Sequence, residues 1–156
     1  MSLERTIEMP KLSGTLAGTA GQYFVAGELS RRGYVVAVTL RNAKGIDLLV
    51  SNPENNRQVG IQVKTTRSTK ARWLVTKNEI EVDARLIYIF VNLKADGQHP
   101  DFSVVPSKDV AAYVKKSVEK SLSTLRRDGL AARDSGIREF RDPERTYRDR
   151  WELLGV

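Results

Sequence analysis

The hydrophobic positions of the chain change their spacing several times. Over residues 15–32, Leu16, Ala20, Tyr23, Phe24 and Gly27 recur every three or four positions, which predicts one apolar face of an α-helix. Thr15 is placed to cap its start and Gly33 to end it. Gly18 and Gly21 each weaken such a helix by up to about 1 kcal/mol relative to alanine, a cost that fits a helix lying close against a sheet. Residues 1–14, punctuated by Pro10 and Gly14, show no period and read as a lead-in arm.

Strand patterns follow. Residues 34–40 are apolar and β-branched, and a turn over 41–45 leads into a second strand over 46–51. Asn52, Pro53, Asn55 and Asn56 make a hairpin-like loop before a third strand over 58–66. Residues 73–76 predict a short edge strand, and the capping-box spacing of Thr76 and Glu79 predicts a short helix near 77–82. The near-continuous apolar run over 86–93 is that of a strand buried on both faces. A further strand over 102–106 precedes a helix capped by Ser107 and running through Asp109, Val110, Tyr113 and Val114 toward Leu125. Beyond residue 126 the chain is highly charged, but Ile137, Phe140, Tyr147, Trp151, Leu153 and Leu154 are too apolar for a solvated tail. These patterns predict one α/β domain spanning 1–156, with a core over about 14–114 and an extension over 115–156 packed back on it.

Composition narrows the classes of function. With 156 residues, 40% of them hydrophobic, the chain is long enough to build a core. No apolar run approaches the roughly 20 residues that cross a bilayer, and the N-terminus lacks a signal-peptide pattern, so a cytoplasmic protein without a membrane partner is expected. The absence of cysteine excludes disulfides, thiolate chemistry and Cys-based zinc sites, and the single His99 cannot form a His-rich metal site. The 26 Lys and Arg outnumber the 19 Asp and Glu, for a net charge of +7. That balance favours a polyanionic partner such as nucleic acid, and Arg57, Lys64, Arg67, Lys70 and Arg72 form a stretch that contains no acid.

Two charges stand where packing gives them no reason to be. Asp47 sits in the apolar run Gly45-Ile46-Asp47-Leu48-Leu49-Val50, and Lys64 in Gly60-Ile61-Gln62-Val63-Lys64-Thr65. Burying an unpaired charge costs more than a strand gains, so opposite charges in neighbouring strands point to a metal and phosphate site. A cross-strand salt bridge is the plainer alternative. Gln62 and Lys64 are two residues apart and share one face of their strand, while Val63 points to the other. Phosphodiester hydrolysis needs an activated water and a phosphate relieved of charge, and a hard cation on oxygen ligands supplies both.

The order of a helix with Glu28, a strand, a strand with Asp47, and a strand with Gln62-Val63-Lys64 resembles the PD-(D/E)XK nuclease superfamily. The likeness runs over roughly residues 14–114 and is similar to archaeal Holliday-junction resolvases and small members of the superfamily. It implies a restriction-endonuclease-like α/β core, a mixed central β-sheet flanked by helices in αβββαβ order. It implies a metal-dependent endonuclease acting on DNA with Mg²⁺ or Mn²⁺. Asp47 corresponds to the metal-binding aspartate, Lys64 to the motif lysine, and Glu28 to the helix-one glutamate that serves as a further ligand. Gln62 stands where the superfamily has Asp or Glu and offers a neutral oxygen. Members often pair, so a homodimer is a compatible assembly. An inactive nucleic-acid-binding or protein-interaction module on the same fold is the alternative function. The residues placed to contact nucleic acid are Lys44, Thr65, Thr66, Arg67, Lys70 and Arg72. Gln22 in the first helix is placed either to reach the site or to face solvent.

Overall fold

The computed structural model describes residues 11–39, 45–77, 80–123 and 136–156. It opens on α1 (Gly14–Arg31). The cap is Ser13, whose hydroxyl accepts a hydrogen bond from the Leu16 amide, one residue before the glycine that opens the helix and two before the expected Thr15. Gly33 turns the chain out of the helix at φ 93°, a left-handed conformation that glycine adopts without strain. Next come β1 (Val35–Val38), β2 (Leu48–Ser51) and β3 (Gln58–Thr66). β2 and β3 are joined by a turn in which the Asn52 side chain accepts from the Glu54 amide.

β4 (Arg72–Thr76) leaves the sheet, β5 (Leu86–Asn92) re-enters it, and β6 (Asp101–Pro106) leads into α2 (Ser107–Ser123). A last strand, β7 (Ile137–Arg141), and a 3₁₀ helix (Trp151–Leu154) complete the order. Of the short helix expected over 77–82, Lys77 is in a 3₁₀ conformation, Asn78 and Glu79 lie outside the described residues, and residues 80–83 are irregular.

The main sheet is five-stranded and mixed, in the order β1-β2-β3-β5-β6. β1, β2 and β3 form antiparallel pairs, β3 and β5 run parallel, and β6 returns antiparallel to β5. A parallel pair requires a crossover, and here β4 lies within it. β4 pairs with β7 in a separate two-stranded ribbon that closes one face of the sheet.

The alternation of β5 divides the core in two. Ile87, Ile89 and Val91 face Val25 and Leu29 of α1, with Trp151 and Leu154 of the 3₁₀ helix. Leu86, Tyr88 and Phe90 face Trp73 and Val75 of β4, Phe140 of β7, and Val110 and Val114 of α2. β5 is therefore buried on both faces along its whole length. Phe90 and Phe140 stack with centroids 4.6 Å apart. Among the described residues no helix is long and apolar enough to cross a membrane.

Candidate active site

The β2–β3 ladder ends at the Leu48–Ile61 pair, one step short of Asp47 and Gln62. Beyond it the strands part, and the backbone of Asp47 is held from both sides. Its amide donates to the Ile61 carbonyl at 2.8 Å, and its carbonyl accepts from the Thr39 amide at 3.0 Å. The Asp47 side chain takes over where the ladder stops. Oδ2 accepts from the Val63 amide at 2.7 Å, in place of a strand carbonyl, and Oδ1 accepts from Gln22 Nε2 at 3.0 Å. One carboxylate thus ties α1, β2 and β3 together at the fork.

Gly21 explains how α1 comes close enough for Gln22 to reach. A Cβ at position 21 would lie 1.9 Å from Thr65 Oγ1 and 3.0 Å from Thr65 Cβ. Only glycine lets the helix sit on β3 at this point, which is the close approach its small size suggests. Gly14 and Gly18 meet nothing within 4 Å, so the close packing is confined to Gly21.

Gln62 is 4% exposed, and its Oε1 has no hydrogen-bond partner. Such a buried acceptor costs about 1–3 kcal/mol when left unsatisfied. Lys64, half-buried, follows on the same strand face two residues later, and Val63 packs in the opposite core. Asp47 and Gln62 would be the next pair of the ladder, and a fixed carboxylate and an orphaned carbonyl-type oxygen are ligands of the kind that Mg²⁺ and Mn²⁺ take, all oxygen and partly anionic. Among the described residues no three His, Asp or Glu side chains cluster, so the set contains few charged ligands.

Glu28 is engaged elsewhere. Its Oε1 accepts from Arg32 Nη2 at 2.9 Å, and its Oε2 lies 3.5 Å from Arg31 Nη1 and 3.7 Å from His99 Nε2. Six residues separate it from Gln22, about 9 Å along the helix and about 120° around it. The structure therefore brings Gln22, not Glu28, to Asp47. The clue in the sequence was the neighbouring glycine, which marks the side of the helix that touches the sheet. The charge of Glu28 carried no such positional information.

The residues expected to contact nucleic acid are spread over the end of β3 and the loop after it. Thr65 Oγ1 is buried and without a partner against α1, and Thr66 Oγ1 accepts from the Ser68 amide. Arg67 donates to the Leu12 carbonyl, and Arg72 pairs with Glu139 across the β4–β7 ribbon at 2.7 Å. Lys70 is exposed, and Lys44 lies outside the described residues. Asn92, which the sequence did not single out, fixes this loop. Its Nδ2 donates to the carbonyls of Ser68 at 2.9 Å and Lys70 at 3.0 Å. Trp73, beside Arg72, belongs to the core, 2% exposed, with its indole N–H donating to the Val91 carbonyl.

No sequence family model matches the chain, and no curated protein does. Among solved structures, the bacterial homing endonuclease I-Ssp6803I aligns over 93% of this chain and 94% of its own, with 18% identity and a TM-score of 0.54. The Holliday junction resolvase Hjc of the archaeal hyperthermophile Archaeoglobus fulgidus aligns over 80% of this chain and 84% of its own, with 13% identity and a TM-score of 0.46. Helix, mixed five-stranded sheet and the likeness to the homing endonuclease agree: the chain has the restriction-endonuclease-like fold.

Proposed function

We propose that the chain is a divalent-metal-dependent endonuclease that hydrolyses phosphodiester bonds in DNA at the fork between β2 and β3. The observation that carries this reading is the Asp47 carboxylate, fixed through both oxygens where the β2–β3 ladder ends, with Gln62 next in register on β3 and its oxygen buried without a partner. Asp47 and the Gln62 carbonyl oxygen would hold Mg²⁺ or Mn²⁺. Bound there, the ion supplies Lewis-acid polarisation of the phosphate and a lowered pKa for water.

The other roles belong to the chain itself. The Val63 amide and Gln22 keep the Asp47 carboxylate in one orientation. Lys64 sets a positive charge where charge grows on the phosphate in the transition state, an effect that is largest when the group is preorganised. The loop clamped by Asn92 presents Lys70 at the carboxyl end of the parallel β3–β5 pair, and the net charge of +7 draws in the DNA backbone.

A second reading has its own support. Gln62 is neutral, and Glu28 is paired with arginines rather than with Asp47, which suits a module that binds nucleic acid without cutting it.

One experiment separates the two. Linear duplex, single-stranded and four-way-junction DNA are incubated with the protein and Mg²⁺ or Mn²⁺, alongside Asp47→Ala and Lys64→Ala. The nuclease reading expects cutting by the wild type that both variants lose. Binding without cutting, alike in all three proteins, gives the second reading.

A further inference from the structure

The helix side of the fork carries an amide where it could carry a carboxylate. Gln22 Nε2 donates to Asp47 Oδ1 at 3.0 Å. The helix cannot slide closer, because Gly21 is already seated on Thr65 with no room for a Cβ. Gln62, the strand residue nearest Asp47 in register, is also an amide, and its oxygen is buried without a partner. The helix residue that reaches Asp47 and the strand residue next to it in register are therefore both neutral, and the first already bonds its carboxylate. Divalent-cation affinity rises with the number of anionic ligands and with the rigidity of the site. Gln22 contributes rigidity and no charge.

We propose that Gln22 is a positioning residue that holds Asp47 oriented and sets how tightly the fork binds a divalent cation. This rests on the nuclease reading of the same site, but it is tested on binding and stability rather than on cutting. In the wild type the amide donor satisfies Asp47 Oδ1 whether or not an ion is present, so the fork folds without metal and binds it weakly. A glutamate at position 22 would face the Asp47 carboxylate at hydrogen-bond distance. Two like charges that close repel until a cation lies between them, so the same backbone would become a tighter site whose folding depends on the ion.

The test titrates Mn²⁺ calorimetrically into the full-length wild type, Gln22→Glu and Gln22→Met, with melting curves taken with and without Mn²⁺. Gln22→Glu is expected to bind Mn²⁺ about tenfold or more tightly than the wild type, to melt lower without metal and to regain its melting temperature with it. Gln22→Met keeps the length but lacks the donor. It is expected to bind about tenfold more weakly, the size of effect seen when a partner that orients a metal ligand is removed. Unchanged Mn²⁺ affinity in Gln22→Glu overturns the proposal. If that variant fails to fold even with Mn²⁺, unchanged affinity in Gln22→Met overturns it instead. Absence of DNA cutting by the wild type would refute the nuclease reading while leaving these binding results to judge Gln22.

Discussion

Two buried or half-buried carboxylates meet the first helix, and their surroundings differ in kind. Glu28, 8% exposed, sits among Arg31, Arg32 and His99, and Arg32 in turn lies over the Trp151 ring with its guanidinium 4.6 Å from the centroid. Asp47 is gripped by two amides, one from the backbone of Val63 and one from Gln22, at the point where two strands separate. The first arrangement is one of opposite charges and fastens the end of α1 to the 3₁₀ helix and to the loop of His99. The second is one of geometry: it orients a carboxylate. A helix glutamate that is well paired is thus a poor candidate for a metal ligand, and a glutamine that orients the strand aspartate is a better partner for the site.

Substitutions at the two carboxylates should separate them most widely. Asp47→Asn is expected to lower DNA cleavage on the order of a hundredfold to a thousandfold, while Glu28→Gln leaves the rate largely intact. Equal losses in the two variants, measured under single-turnover conditions, would erase the distinction. Next in size is Gly21→Ala. The added methyl overlaps Thr65, which should cost about 1–3 kcal/mol of stability and loosen the grip of Gln22 on Asp47. Adding Thr65→Ala removes the overlapping hydroxyl and should restore part of that loss in urea denaturation. No recovery in the double variant would mean that the helix is not seated on Thr65. The smallest effect is expected for Glu28→Gln on stability, about 1 kcal/mol, because Arg31 and Arg32 are partly exposed. The loss should shrink as salt is raised, and a salt-independent loss would argue against an ion-pair role.

The strand part of the site was legible because period-two alternation fixes which residues share a face. A charge inside an apolar run then stands out, as Asp47 and Lys64 do, and Gln62 shares the face of Lys64 by its spacing. The helix part was not, because α1 has polar and small residues on several sides and its apolar face is weakly marked. Glu28 drew notice through its charge, and only the packing of Gly21 on Thr65 reveals which side meets the strands. The Ile-Arg-Glu-Phe-Arg segment of β7 does alternate, but its partner β4 lies some 60 residues earlier, a pairing that local pattern cannot supply. Phe140, Trp151 and Leu154 were recognisable as too apolar for solvent, and they lie in the two cores. Asn92 had no signal at all, since it acts on loop carbonyls that only the tertiary structure brings near.

The most direct test of where the cation belongs is anomalous diffraction from crystals of the protein grown with Mn²⁺. The account predicts a peak within ligand distance of an Asp47 carboxylate oxygen and Gln62 Oε1, with Glu28 still paired to Arg32. A peak at Glu28 and His99 with none beside Asp47 would contradict it.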